Sequence, residues 1–131
     1  MNDRRFKHSL TALVLGLCCQ AAVASDQLNI INWSGYVSDD VLATFQKDTG
    51  IKIKYDVLDS EDTLQAKLLG GNSGYDVVYP SSTYMAKQVE AGVYEPIDWS
   101  KIPNKSNLDA ELMSKIAQQD PDNKFGVPYV W

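Results

Sequence analysis

Aromatic and hydroxyl side chains crowd into two short stretches, Trp33-Ser34-Gly35-Tyr36 and Tyr79-Pro80-Ser81-Ser82-Thr83-Tyr84. Each follows an apolar run, Ile30-Ile31 in the first case and Val77-Val78 in the second, so each reads as the end of a buried strand entering a loop. In open α/β sheets ligands gather at such strand ends, and the pair suggests a cleft for a small molecule. From Ser25 onward the chain has no histidine and no cysteine. That excludes serine–histidine and cysteine–histidine nucleophile schemes from this segment, together with the usual nitrogen and sulfur zinc sites and any disulfide. Nothing calls for a metal or a cofactor. Paired-carboxylate chemistry stays formally open, but no spacing singles out a pair. On spacing alone Trp33 fits a cleft wall or a core position equally, and Ser81 and Ser82 read first as helix caps. Tyr75, Tyr79 and Tyr84 read as packing residues.

The elements that position these loops follow from periodicity and capping. Leu28 to Asn32 is a central strand. Ser38 caps a helix with Asp39 and Asp40 in its first turn, Val41, Leu42 and Phe45 as its buried face, and Gly50 as its stop. Residues 51–57 alternate strictly and predict a strand with one wet face, at or near a sheet edge, with Lys52 and Lys54 facing solvent. Asp59 to Asp62 repeats the capping signal, and Leu64, Leu68 and Leu69 predict the apolar stripe of a second helix. Tyr75 to Tyr79 is a buried strand that Pro80 stops, and a third helix runs to Ala91. The order βαβαβα predicts a doubly wound, mainly parallel α/β sheet with helices on both faces. After Gly92 an irregular connection leads to a helix over Leu108–Gln118, a turn at Asp120-Pro121-Asp122-Asn123 and an extended segment from Phe125.

Ahead of all this, Arg4, Arg5, Lys7 and His8 precede an apolar run from Leu10 to Cys19 and then Ala22-Val23-Ala24. This predicts a secretory signal peptide over residues 1–24, too short in its apolar part to span a membrane. The segment from Ser25 carries sixteen acidic side chains against nine lysines and no arginine, a formal charge of −7. Such a balance excludes nucleic acid as a natural partner and is compatible with a cationic ligand.

The motifs Asn32-Trp33-Ser34-x-Tyr36, Asp48-Thr49-Gly50-Ile51-Lys52, Tyr55-Asp56-Val57-x-Asp59-Ser60, Gly74-Tyr75-Asp76-Val77-Val78, Pro80-Ser81 and Asp120-Pro121-x-Asn123-Lys124-Phe125-x-x-Pro128-Tyr129-x-Trp131 resemble the periplasmic polyamine-binding proteins of bacterial ABC importers. The likeness runs from about Leu28 to Trp131 and keeps the order and spacing of the motifs. It implies a type II, two-lobed receptor in which two α/β lobes close on an extended amine. Residues 25–124 would be part of the first lobe and residues 125–131 the start of the crossover toward the second, where the chain looks truncated.

By the same resemblance, Trp33 and Tyr36 belong to an aromatic box around the amine, Ser34 and Ser81 are polar contacts from the two loops, and Thr83 borders the site and helps tune ligand length. The partners implied are putrescine or spermidine and the importer's membrane permease subunits, with the protein periplasmic, monomeric and free of catalytic activity. Gly35 departs from a family pattern that often places an acid there. A diamine offers two cations and an apolar spacer, which suits π-faces and hydroxyls or carboxylates. Two cation–π contacts at about 0.5 to 2 kcal/mol each fall well short of the roughly 8 kcal/mol of micromolar binding. The remaining carboxylates are expected from a second lobe. On this assignment Trp33→Ala weakens amine binding and leaves the unliganded melting temperature nearly unchanged. Two other readings compete with a receptor: a periplasmic enzyme acting on a small amine or sugar through carboxylates in a missing half, and an inert truncated remnant.

Overall fold

The computed structural model describes residues 26–130; the predicted signal peptide and Trp131 lie outside the described residues. Three strands, β1 (Gln27–Trp33), β2 (Lys52–Leu58) and β3 (Val77–Val78), form a parallel sheet in the order β2-β1-β3. Helix α1 (Asp39–Thr49) joins β1 to β2, α2 (Glu61–Leu69) carries the chain from β2 past β1 to β3, and α3 (Ser82–Glu90) follows β3. The α/β class, the parallel sheet and the place of β2 at an edge agree with the periodicity. Right-handed crossovers that run in opposite directions across the sheet, β1 to β2 and then β2 past β1 to β3, put α1 and α2 on opposite faces.

The core sits on the α2 face. Ile31 and Leu58 point that way and meet Leu64 and Leu68, with Trp33, Tyr75, Val78, Val93 and Tyr94 packed around them. Ser60 fixes the start of α2, its hydroxyl accepting the Thr63 N–H at 3.1 Å. Leu69, expected in the stripe, is instead 50 % exposed, because it lies past the arc that Leu64 and Leu68 turn to the sheet. The α1 expectation also fails. No residue of α1 is buried, and Val41 and Phe45 are 59 % and 37 % exposed. The helix leans on an edge strand, and among the described residues no further element covers its apolar side.

Strand β3 is shorter than the apolar run Tyr75 to Tyr79. It pairs with β1 only at Ile30–Val77 and Ile31–Val78. Below the ladder the Asp76 carboxylate takes both the backbone and side-chain N–H of Asn29, at 2.7 and 3.0 Å, and above it Pro80 has no N–H to offer. The connection after α3 contains two 3-10 turns, Trp99–Lys101 and Pro103–Asn107, before α4 (Ala110–Ile116), which is shorter at both ends than the predicted Leu108–Gln118. Asp109 caps α4 by accepting the Leu112 N–H at 2.9 Å.

Beside the core, the Tyr94 phenol donates to Oε1 of the fully buried Gln88. Burial, and secondarily the Glu61 carboxylate, hold the Tyr94 pKa above the ordinary tyrosine value. The folded protein therefore keeps this proton where the unfolded chain loses it, so stability is full below the ordinary value of 10.0 and falls as pH rises beyond it. Urea unfolding of the intact protein is expected to show a midpoint that drops from pH 10 upward, and less steeply in Tyr94→Phe. Identical slopes in the two proteins would remove Tyr94 from the account.

Candidate functional site

In the order β2-β1-β3 the chain leaves β1 for one side and returns past it to form β3 on the other, which opens a crevice beyond the carboxyl ends of β1 and β3. A cleft of about 1070 Å³ runs along β3, from Tyr75 and Asp76 at its amino end past Leu112 and Ile116 of α4 to the loops at these carboxyl ends, where its walls include Asn32, Trp33, Tyr36, Tyr79, Ser81 and Tyr129. Three residues singled out from sequence, Trp33, Tyr36 and Ser81, thus meet in one cavity. Ser34 and Thr83 are exposed and are not part of its wall.

The loop after β1 is a tight turn. Tyr36 N–H reaches back to the Trp33 carbonyl at 3.4 Å, and Gly35 between them takes φ +76°, the left-handed region in which a side chain is strained. An acid at this position would meet no neighbour within 4 Å of its Cβ, but would carry that backbone strain. Trp33 is half-buried, and its indole N–H donates to the Tyr79 carbonyl at 3.1 Å. The first loop is therefore tied directly to the end of β3. Beneath Trp33, the Asn32 side chain is fully buried, with Oδ1 accepting the Trp33 N–H at 2.8 Å. Its Nδ2 and the Tyr55 hydroxyl are buried with no hydrogen-bond partner among the described residues.

At the second loop Ser81 occupies the N-cap of α3, yet its hydroxyl does not cap; it lies 3.2 Å from the Thr83 hydroxyl. Glu61 on α2 satisfies the N–H of Ser81 itself, its Oε1 accepting at 2.6 Å. Tyr84 donates to Asp62 at 2.8 Å, a second tie between the starts of α2 and α3. That bond raises the Tyr84 pKa, and burial raises those of Tyr55 and Tyr79. Tyr55, Tyr79 and Tyr84 are therefore neutral near pH 7. Positive charge on a ligand would meet π-faces and hydroxyl oxygens here, with Glu61 behind Ser81.

Three contributors escaped the sequence reading. Glu61 read only as an acid suited to a helix start. Asp120 read as a turn former, but it is fully buried and its carboxylate accepts the N–H groups of Lys124, Phe125 and Gly126 at 3.0, 2.8 and 2.9 Å. Gly126 then packs so closely on Met85 of α3 that a Cβ there would run into the methionine methyl. Held in this way, the extended segment delivers Tyr129, whose hydroxyl donates to the Tyr36 carbonyl at 2.7 Å. Its ring lies 5.0 Å from that of Tyr79, edge to face, and 6.4 Å from that of Tyr36.

The sequence is 49% identical over 131 residues to the putrescine-binding periplasmic protein SpuD of Pseudomonas aeruginosa, covering 98% of this chain and 36% of that protein. It is 46% identical over 130 residues to the putrescine-binding periplasmic protein PotF of Escherichia coli, covering 95% of this chain and 35% of the relative. The chain thus spans about a third of the length of these curated relatives. The fold superposes with a TM-score of 0.76 and 34% identity on the crystal structure of PotD, the spermidine/putrescine ABC transporter substrate-binding protein of Streptococcus pneumoniae, covering 82% of this chain and 32% of that one. The model of the bacterial extracellular solute-binding proteins matches residues 32–130. That stretch begins at the buried Asn32, takes in both strand-end loops, and ends just past Tyr129. With that match over most of its length and the shared fold, the chain belongs to the family of bacterial extracellular solute-binding proteins.

Proposed function

We propose that the intact protein is a periplasmic binding protein that captures a polyamine of the putrescine or spermidine class and passes it, chemically unchanged, to the permease subunits of an ABC importer. In this reading residues 25–124 are part of one lobe, residues 125–131 begin the crossover to another, and Trp33, Ser34, Tyr36, Ser81 and Thr83 are the ligand contacts of this lobe. The observation that carries the proposal is the cleft at the switch between β1 and β3, walled by Trp33, Tyr36 and Ser81. It presents aromatic faces for methylenes and ammonium groups and a hydroxyl for N–H donors, and histidine and cysteine are absent from residue 25 onward. The named ligands of the similar proteins, putrescine and spermidine, have this chemistry. Ser34 and Thr83, which lie outside the wall of the cleft, are included on the resemblance alone.

Calorimetric titration of the intact protein with putrescine and with spermidine tests the proposal. A saturable heat with a Kd of about 1 μM or below, about −8 kcal/mol, is expected for at least one amine. No heat with either amine overturns the reading, and so does turnover of an amine by the purified protein.

A further inference from the structure

We infer that Tyr129 is a positioning residue that sets the pose of Tyr36 in the cleft, and that through it the segment 125–130 is coupled to the ligand-side loop. The inference rests on the functional reading above for its ligand, and on geometry for its substance. The turn from Trp33 to Tyr36 is held unequally at its two ends. At the Trp33 end the indole is fastened to the Tyr79 carbonyl and packs against the core. At the Tyr36 end the side chain is 45 % exposed, the preceding residue is a glycine at positive φ, and the backbone bond back to Trp33 is long at 3.4 Å. The Tyr129 hydroxyl supplies what that end lacks, a short hydrogen bond to the Tyr36 carbonyl at 2.7 Å.

The fixed point behind Tyr129 is real. Three residues upstream, Gly126 is locked by the buried Asp120 carboxylate and pressed on Met85. Alongside, the Tyr129 ring stands edge to face on Tyr79, the residue that also holds Trp33. Both ends of the loop thus refer to Tyr79, one through its carbonyl and one through its ring. Any displacement of residues 125–130 moves Tyr129, and with it the carbonyl and ring of Tyr36.

Tyr129→Phe in the intact protein keeps the ring packing and removes only the hydroxyl. Backbone relaxation in the unliganded protein is expected to show the order parameters of Gly35 and Tyr36 falling from about 0.85 toward 0.6, with Trp33 unchanged. Putrescine is expected to bind about fivefold to tenfold more weakly, the worth of one neutral hydrogen bond. In a Tyr36→Ala background the same substitution is expected to change the putrescine Kd by less than about twofold, because its effect acts through the Tyr36 side chain. A purely structural hydroxyl would lower the melting temperature and weaken binding equally in both backgrounds. Unchanged order parameters at Gly35 and Tyr36 overturn the inference, as does an equal loss of affinity in the two backgrounds. If the wild-type protein binds neither putrescine nor spermidine, the functional reading falls, and the relaxation result alone decides the role of Tyr129.

Discussion

Trp33→Ala in the intact protein is expected to weaken polyamine binding by about thirtyfold or more, the loss of a buried aromatic anchor worth at least about 2 kcal/mol. It is also expected to lower the stability of the unliganded protein. The resemblance by itself led to the opposite expectation for stability. Trp33 lines the cleft, but it also packs against the core cluster of Ile31, Leu58, Leu64 and Leu68, and its N–H is spent on the Tyr79 carbonyl. Truncation removes apolar contact and leaves that carbonyl short of a donor, a cost of about 2 to 3 kcal/mol. Trp33→Phe refines the test: it retains a π-face and loses the hydrogen bond, so it should recover more of the affinity than of the stability. Denaturant unfolding and calorimetry on the same preparations give both numbers. Full affinity in Trp33→Ala would return the residue to the core alone.

The second large effect is expected at Asp120, far from any sequence position that suggests ligand chemistry. Asp120→Ala is expected to destabilise the intact protein by roughly 3 kcal/mol, because three backbone N–H groups lose a buried anionic acceptor together. Asp120→Asn should fall between the wild-type protein and Asp120→Ala, since one amide oxygen can keep the Phe125 and Gly126 bonds while its NH₂ opposes the Lys124 N–H. The urea midpoint measures this directly. A shift corresponding to less than about 0.5 kcal/mol in Asp120→Ala would mean that the segment after the turn is held by Met85 and Tyr129 without the carboxylate.

Local signals carried most of the order of the fold. Ser60, Asp39 with Asp40, and the alternation from Ile51 to Val57 are effects of neighbours within a few residues, and such effects are printed in the chain itself. What failed were statements about cover. Val41 and Phe45 do share one side of α1, as their spacing requires, but periodicity reports an apolar side and not whether anything lies against it. Leu69 failed for the same reason. At the site, Trp33, Tyr36 and Ser81 were picked out together by the family resemblance; their types and spacing alone left Trp33 between cleft wall and core and made Ser81 a helix cap. Tyr129 was not, because its bond to Tyr36 joins residues 93 apart in sequence, and Glu61 and Asp120 each had a sufficient local explanation, a helix start and a turn. A residue with one adequate local role gives no sign of a second, distant one.

The two-residue length of β3 has a consequence for how the molecule loosens. Strands β1 and β2 are laced over seven residue pairs, from Gln27–Lys52 to Trp33–Leu58, whereas the ladder of β3 with β1 has two, flanked by the Asn29–Asp76 and Trp33–Tyr79 bonds. Thermal opening therefore has a preferred seam, between β1 and β3, and this seam runs straight into the cleft. Once it parts, the backbone amides of β1 that face β3 become a free edge flanked by Ile30 and Ile31, a template on which a second polypeptide can lie down as a strand. The short ladder beside the crevice is thus also the place where aggregation of this fold would nucleate.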